Sequence, residues 1–343
     1  MKKALLWIVV LAVLAVGASL GYQYYYDHRI PNFHKGTELY VYPGMDVDTV
    51  CDSLIARGKV VSARSLRRSM RTEGIRVPEP GHYTLDDRVS SIYAARMLKH
   101  GWQTPVNLAL SGSIRSRRAL ARKLGAQLLA GADSLAASFD DPAFLARFGL
   151  DTTRLFTQIL PDTYQVMWTD DAAALMERFV RASRDYWTEE RLLKARRQGL
   201  TREEAVILAS IVDGETKYEP EMPRIAGVYL NRLDQGMKLQ ADPTVAWCYG
   251  YSLNRILKRH LEVESPYNTY RYAGLPPGPI SCPPKACIEA VLNPDRRGEL
   301  YFCASPDFDG SHRFARTYAE HLVNARAFQQ ELTRRQKAAA AQR

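Results

Sequence analysis

The residue of this sequence that is best suited to acid–base chemistry is a glutamate in an apolar segment. Thr201 and Glu204 have the spacing of a capping box, which predicts that a helix begins at Thr201. At about 100° per residue, the apolar residues of the following segment, AVILASIVDGET, share one stripe of that helix. Glu215 projects onto the middle of the stripe, whereas Asp213 projects to the opposite side.

A carboxyl group on the buried face of a helix has unusual acidity. Burial removes its hydration, which raises its pKa and keeps it protonated near neutral pH. In that state it can donate a proton to a leaving group as a general acid. Glu215 is therefore a candidate catalytic residue. A structural glutamate paired with a backbone amide or an arginine would show the same pattern, so the helix alone leaves both interpretations open.

Polar side chains that could converge on Glu215 follow it along the chain. Amide, carboxyl and phenol groups suit a ligand rich in hydroxyls, and aromatic rings stack on the apolar faces of such a ligand. Asp242 precedes a proline, so it is equally typical of a turn, and the isolated His312 and His321 are more typical of structural roles than of bases. The predicted binding residues are Asn231, Gln240, Asp242, Tyr267 and Asn268.

Composition narrows the classes of function. Hydrophobic residues make up 46% and charged residues 24% of the 343, which excludes a disordered chain and a polytopic membrane protein. Lys and Arg number 47 against 37 Asp and Glu, a net charge of +10 that favours an anionic partner. The basic residues are spread along the chain without interleaved aromatic residues, so we predict no nucleic-acid partner.

The five cysteines contain no CxxC pair and no zinc spacing, and we predict neither a metal nor a cofactor. Cys282 and Cys287 are near enough in sequence to pair in an oxidising compartment, although nothing in the pattern requires it.

The N-terminus predicts the compartment. Lys2 and Lys3 precede an uncharged run from Ala4 to Tyr22, which is long enough to cross a bilayer as a helix. By the positive-inside rule, residues 1–3 form a cytoplasmic tip, 4–26 a single-pass anchor, and the rest lies on the periplasmic or other extracytoplasmic side of the cell (inner) membrane. A signal peptide cleaved near Ala18 is the alternative.

The remaining chain predicts an α+β protein of two parts. Residues 27–35 are polar and typical of a juxtamembrane linker, and residues 36–105 alternate short strands with amphipathic helices. The larger block, 106–330, predicts long helices at about 115–131 and 171–197, followed by loops rich in Pro, Gly and Tyr. Residues 331–343 predict a basic helical tail.

Several segments together resemble the MltG (YceG-like) family of membrane-anchored endolytic peptidoglycan transglycosylases. The resemblance spans about residues 200–325 in the family's order, with one further segment, LPDTY, at 160–164. The matching segments are ILASIVDGET (207–216), RIAGVYLNRL (224–233), GMKLQADPTV (236–245), YNTY (267–270) and GLPPGPI (274–280). By pattern more than by motif, residues 36–105 resemble the family's LysM-like module.

The resemblance implies a lyase that cuts the MurNAc-β-1,4-GlcNAc bond within nascent glycan strands, leaves a 1,6-anhydro-MurNAc end and so limits strand elongation. The family's catalytic glutamate directly precedes Thr in this segment and falls on Glu215, the residue that the helical projection selects independently. The implied partners are peptidoglycan strands and membrane-embedded synthases and division proteins.

Two other functions fit the same residues. One is a non-catalytic, membrane-anchored scaffold that binds peptidoglycan, although a binding protein gains nothing from a buried unpaired acid. The other is a hydrolytic muramidase in which Asp242 activates water beside Glu215. The chemistry of the products separates the three functions.

Overall fold

The computed structural model describes residues 2–341, which form a mixed α+β structure with one long apolar helix at the N-terminus. The chain divides into two compact units. The N-terminal unit comprises the chain up to Leu108 with Gln127–Leu129 and Gln165–Asp170, and the C-terminal unit comprises the rest. Met1 and residues 342–343, which belong to the predicted tip and tail, lie outside the described residues.

The N-terminal unit carries the apolar helix and a small α/β core. Its elements are α1 (Lys2–Arg29), β1 (Thr37–Val41), α2 (Val47–Ala56), α3 (Ala63–Thr72), β2 (Gly81–Leu85) and α4 (Ser91–His100), and β3 (Val106–Ala109) leads out of it.

The strands β1 and β2 pair antiparallel, with Thr37 opposite Leu85 and Val41 opposite Gly81. Alternate residues of β1 are buried, and with the apolar faces of α2, α3 and α4 they form one hydrophobic core.

The helix α1 is long and apolar enough to cross a membrane, a property that it shares with signal sequences. Its last turns join the core of the N-terminal unit through Asp27, which is only 6% exposed. Arg68 donates to this carboxylate from Nε and Nη2 at 2.6 and 2.7 Å, and the Ser65 hydroxyl donates at 2.5 Å. The ion pair fixes the end of α1 to α3.

The predicted linker at 27–35 is wrong, because this segment is part of the folded unit. Its first residues continue α1 to Arg29, and Asn32 and Phe33 are buried. The Asn32 amide donates to the carbonyl of Ser62 at 3.0 Å and to the hydroxyl of Ser91 at 2.7 Å. Polar composition suggested a solvated segment, whereas these side chains are satisfied inside the unit.

The C-terminal unit is mainly helical. Its elements are α5 (Arg117–Gly125), α6 (Ala132–Asp140), α7 (Pro142–Ala146), β4 (Thr163–Val166, which ends in the N-terminal unit), α8 (Ala172–Tyr186), α9 (Glu189–Arg197), α10 (Arg202–Glu215), α11 (Met222–Asp234), α12 (Asp242–Cys248), α13 (Lys285–Leu292), β5 (Tyr301–Ala304), β6 (His312–Ala315) and α14 (Tyr318–Ala341).

The centre of this unit is α10. The predicted capping box is present: Thr201 accepts from the Glu204 amide at 3.2 Å, and Glu204 accepts from the Thr201 amide at 2.8 Å. The helices α9, α11, α12 and α13 pack around α10, so every residue from Ala205 to Asp213 is buried. The side of α10 that carries Asp213 is therefore buried too, and its carboxylate is satisfied by Lys217 and by the Ser281 hydroxyl.

Two predicted long helices are shorter in the structure. The helix predicted at 115–131 ends at Gly125, where a Cβ atom would lie 2.3 Å from the backbone nitrogen of Ala132, so the close approach of α6 requires glycine. The helix predicted at 171–197 is two helices, because Thr188 caps α9 by accepting from the Arg191 amide.

The five cysteines are free in the structure. Cys282 donates to the carbonyl of Ile159 at 2.9 Å, whereas Cys287 contacts the sulfur of Met222 at 3.6 Å. The two thiols therefore have different neighbours, and burial raises the pKa of both, that of Cys287 to about 12.

The Asp27–Arg68 ion pair makes a stability prediction. Replacing Arg68 by Met leaves a buried carboxylate without its cation, which we expect to lower the free energy of unfolding by about 3 kcal/mol. Urea unfolding of the full chain in detergent micelles measures this change. Arg64→Met, one turn earlier on α3 and exposed, is the matched control and should change the free energy by less than about 0.5 kcal/mol. An equal effect of the two substitutions would contradict the assignment.

Candidate active site

An open cavity of about 390 Å³ lies within the C-terminal unit, where the end of α10 meets α11, the start of α12 and the strand β5. Three of the six predicted site residues line it, namely Glu215, Gln240 and Asp242. Its other lining residues are Tyr229, Arg232, Leu239, Tyr270, Tyr301, Phe302, Cys303, Ala304, His312, Tyr318 and His321.

Glu215 is the last residue of α10 and is partly exposed to the cavity. Burial by the surrounding protein raises the pKa of Glu215 to about 7, and the negative charge of Asp242 acts in the same direction. The C-terminal end of a helix carries partial negative charge, which also disfavours a carboxylate there. The side chain therefore exchanges its proton near neutral pH, as a group that is alternately acid and base must.

The hydroxyl of Tyr229 fixes the orientation of this carboxyl group. It donates to Oε1 of Glu215 at 2.5 Å from a side chain that is 2% exposed on α11. This hydrogen bond stabilises the ionised carboxylate and lowers the pKa of Glu215, which partly opposes the effect of burial. Burial and the neighbouring carboxylate raise the pKa of Tyr229 well above its usual value, so the phenol keeps its proton.

A glycine brings the two acidic residues of the cavity together. A Cβ atom at Gly214 would lie 2.4 Å from the Cβ atom of Pro243, so only glycine allows the end of α10 to contact the start of α12 here. Glu215 follows this glycine and Asp242 precedes this proline. The contact therefore places both carboxyl groups at the same cavity, as their charge coupling shows.

Gln240 and Asp242 approach the cavity on a tightly held turn. Gln240 has a φ of +51°, a conformation unusual outside glycine, and its backbone N–H donates to the carbonyl of Thr269 at 3.1 Å. The hydroxyl of Tyr270 donates to Oδ1 of Asp242 at 2.6 Å. Burial and this carboxylate raise the pKa of Tyr270, which keeps it a donor. The positive φ of Gln240 is a strained backbone conformation, which is maintained only where neighbouring contacts enforce it.

Arg232 supports the cavity wall from α11. Its guanidinium donates from Nε to the carbonyl of Leu300 and from Nη1 to that of Leu239, both at 2.6 Å. The residue is 8% exposed, so it joins β5 to the Gln240 turn while its charge favours the ionised form of Glu215.

The two histidines differ in their surroundings. Nδ1 of His312 lies 2.8 Å from a carboxylate oxygen of Glu221, which gives this ring a structural partner. Nδ1 of His321 is buried and has no hydrogen-bond partner within residues 2–341. Burial and the positive charge of Arg232 lower the pKa of His321, so the ring is neutral.

The other three predicted residues lie away from this cavity. The side-chain amide of Asn231 donates to the carbonyl of Glu299 at 2.9 Å. Asn268 is fully buried, and its amide donates to the carbonyls of Leu261 and Val263 at 2.9 and 2.8 Å, so it shapes the loop that carries Tyr270. Tyr267 lines a different cavity of the same unit.

Sequence reasoning missed Tyr229, and it left Arg232 and Tyr270 among the polar side chains that could converge on Glu215 without assigning either a role. Tyr229 gave a usable signal, because a tyrosine on the buried stripe of an amphipathic helix needs a partner for its hydroxyl. Tyr270 gave none that separates it from Tyr267, since loop geometry decides which ring faces the cavity.

The chain is similar to known proteins in sequence and in fold. A family model described as the YceG-like family matches residues 39–327. This chain belongs to the YceG-like family. A yceG-like protein from Listeria monocytogenes, solved at 2.6 Å, has the same fold: its TM-score is 0.54 at 23% identity, covering 84% of this chain and 98% of that one.

Two curated relatives share a name. The endolytic murein transglycosylase of Bacillus subtilis (strain 168) is 41% identical over 114 residues, which cover 33% of this chain and 31% of that protein. The endolytic murein transglycosylase of Streptococcus pneumoniae serotype 2 (strain D39) is 25% identical over 357 residues, covering 93% of this chain and 63% of that protein. The matches thus span less than two thirds of either relative.

The raised pKa of Glu215 predicts how stability depends on pH. An exposed glutamate titrates near about 4.3, so between that pH and about 7 the folded chain binds more protons here than the unfolded chain does. The stability that this carboxyl contributes is complete below the lower value and is lost as pH rises to the upper one. Glu215→Gln removes this loss of stability, and we expect the variant to exceed the parent in unfolding free energy by about 3 kcal/mol at pH 8.

Urea unfolding at pH 4 and pH 8 measures the difference, which should shrink at pH 4. Glu219→Gln, an exposed neighbour, is the control and should show no such pH dependence. A constant difference between Glu215→Gln and the parent at both pH values would contradict a buried, protonated glutamate.

Proposed function

We propose that this protein is a membrane-anchored lytic transglycosylase that cuts the MurNAc-β-1,4-GlcNAc bond within nascent murein strands and leaves 1,6-anhydro-MurNAc ends, which limits strand elongation. The observation that carries the proposal is Glu215, a carboxyl group with a pKa of about 7 at an open cavity lined by hydrogen-bonding and aromatic side chains. The name of the curated relatives supports the substrate class.

The proposed reaction uses one carboxyl group twice. Protonated Glu215 donates its proton to the oxygen that links MurNAc to GlcNAc, and the C1–O bond breaks as positive charge develops at C1. The carboxylate left behind, held by the Tyr229 hydroxyl, accepts the proton of the MurNAc 6-hydroxyl as that oxygen bonds to C1. The proton on Glu215 is restored, and no water enters the products.

A single carboxyl group is sufficient because the nucleophile belongs to the substrate. An attacking group held in the same molecule has a very high effective concentration, so no second carboxylate is needed to activate it. We assign Gln240 and Asp242 to substrate binding, with Asp242 oriented by Tyr270. Asn231, Tyr267 and Asn268 stay predictions as binding residues, of which Tyr267 has an open cavity beside it.

We assign the anchor to α1, with Lys2 and Lys3 on the cytoplasmic side and both units on the other side of the cell (inner) membrane. The helix runs unbroken through Ala18, the alternative cleavage position, to Arg29. In this arrangement residues 36–105 of the N-terminal unit are the LysM-like module, the C-terminal unit acts on strands near the membrane, and membrane-embedded synthases and division proteins are the partners.

Substituting the acid tests the proposal directly. Glu215→Gln keeps the shape of the side chain but has no proton to donate, and we expect it to reduce the rate of strand cleavage at least about 10³-fold. The assay is mass spectrometry of purified strands incubated with the full chain in detergent, with anhydro-MurNAc ends as the product. Glu219→Gln is the matched control and should cleave at the rate of the parent.

The chemical form of the new strand ends distinguishes the proposed lyase reaction from its alternatives. Reducing ends in place of anhydro ends would contradict a lyase, and full activity of Glu215→Gln would contradict its role as the acid. Strands that bind to the parent without being cut would contradict catalysis altogether.

The pH dependence of the rate gives a further prediction. Cleavage should fall as pH rises through about 7, because the acid form of Glu215 is lost. Tyr229→Phe removes a hydrogen bond to the carboxylate, so the pKa of Glu215 should rise and the fall should move to higher pH by about one unit. Initial rates between pH 5 and 9 measure the shift. A fall at lower pH in Tyr229→Phe than in the parent would contradict the role given to this hydrogen bond.

A further inference from the structure

A second cavity of the C-terminal unit, of about 460 Å³, takes no part in the proposed reaction. It opens where the start of α5 faces the C-terminal half of α12 and the segment 152–156. Its walls combine positive charge with aromatic rings, and the residues that provide them are Arg115, Arg117, Arg118, Trp247, Tyr251 and Tyr267.

The cavity has an excess of positive charge, because three arginines and one carboxylate line it. Arg117 is held in place: it donates to Asp140 at 2.5 Å and to the carbonyl of Thr152 at 3.1 Å. The guanidinium of Arg115 lies 4.5 Å from the centre of the Tyr251 ring. Arg118 is exposed and has no hydrogen bond or ion pair within residues 2–341, so its guanidinium can form two parallel hydrogen bonds to a carboxylate.

The aromatic wall is rigid. Trp247 and Tyr267 stack with their ring centres 3.7 Å apart and their planes 20° from parallel. Tyr251 has a φ of +57°, and its hydroxyl donates to the carbonyl of Ile280 at 2.8 Å. A costly backbone conformation held by such a contact is typical of a binding site.

The second cavity is near the one that contains Glu215. Asp242 begins α12 at the first cavity, and Trp247 is five residues further along the same helix at the second, a rise of about 7.5 Å. One loop also serves both, since Tyr270 lines the first cavity and Tyr267 the second. A chain-like ligand bound at Glu215 can therefore extend along α12 to the three arginines.

We propose that this second cavity, hereafter the arginine cavity, binds the carboxylates of the peptide stems that a murein strand carries. Stem peptides project from the MurNAc rings and have carboxylates away from the sugar, which the guanidinium groups can pair, while Trp247 and Tyr267 pack against the apolar part of the peptide. This inference rests on the proposed function, because it takes the substrate to be a murein strand. In this proposal the protein binds the peptide stems as well as cleaving the glycan strand.

The test compares strands that carry stems with strands from which an amidase has removed them. Binding is measured with the full chain bearing Glu215→Gln in detergent micelles, alone and combined with Arg118→Gln. We expect Arg118→Gln to weaken binding of stem-bearing strands about tenfold relative to stem-free strands, the effect of one charge-assisted contact. Arg122→Gln, one turn further along α5 and exposed, is the matched control and should leave that ratio unchanged.

Each contrary result has its own meaning. An equal loss of binding to both strand types would assign the arginine cavity to a group that both strands carry, such as the N-acetyl carbonyl of the sugar, and would overturn the proposal. If Arg122→Gln weakened binding as much as Arg118→Gln, the effect would come from general surface charge, which would also overturn the proposal. Because binding is measured without cleavage, a chain that prefers stem-bearing strands but yields no anhydro ends would retain this inference and refute the proposed function. A chain that yields anhydro ends but binds both strand types equally would retain the proposed function and refute this inference.

Discussion

The geometry of the candidate site depends on the contact between Gly214 and Pro243. Without a side chain at residue 214, the end of α10 lies against the start of α12 with no space between them. The contact brings Glu215 and Asp242 to one cavity. There, burial by the surrounding protein and the negative charge of Asp242 raise the pKa of Glu215.

The two acidic residues near the end of α10 have different hydrogen-bond donors. Asp213 and Glu215 are two residues apart, and both meet the interior of the unit. Asp213 is satisfied by a lysine and a serine hydroxyl, which stabilise its charge. Within residues 2–341, the donor to the Glu215 carboxyl group is a single phenol, and this carboxyl lies at the unfavourable end of the helix dipole. The two carboxyl groups therefore differ in the number and charge of their donors.

The start of α10, the position of Glu215 on its apolar stripe and the turn before α12 could be predicted from the sequence. They follow from local chemistry, namely a capping box, a 3.6-residue period and an Asp-Pro pair. The sequence did not predict which side chains of the loop face the cavity. Asn268 and Tyr270 are two residues apart, yet one amide is used inside the loop and one hydroxyl faces Asp242. Only the folded path of 257–272 decides this. The projection of Asp213 away from the apolar stripe was right in direction, but sequence periodicity does not show that a helix is covered on every side.

The junction of α1 with the N-terminal unit has a consequence for how the protein meets its surroundings. Asp27 and Asn32 leave no free segment between the apolar helix and the folded core of this unit. With α1 in a bilayer, the N-terminal unit follows every tilt and rotation of the helix, since it has no tether that would let it tumble separately. Its movement is then two-dimensional, since lateral diffusion of the helix carries the unit along at a nearly constant height above the lipid.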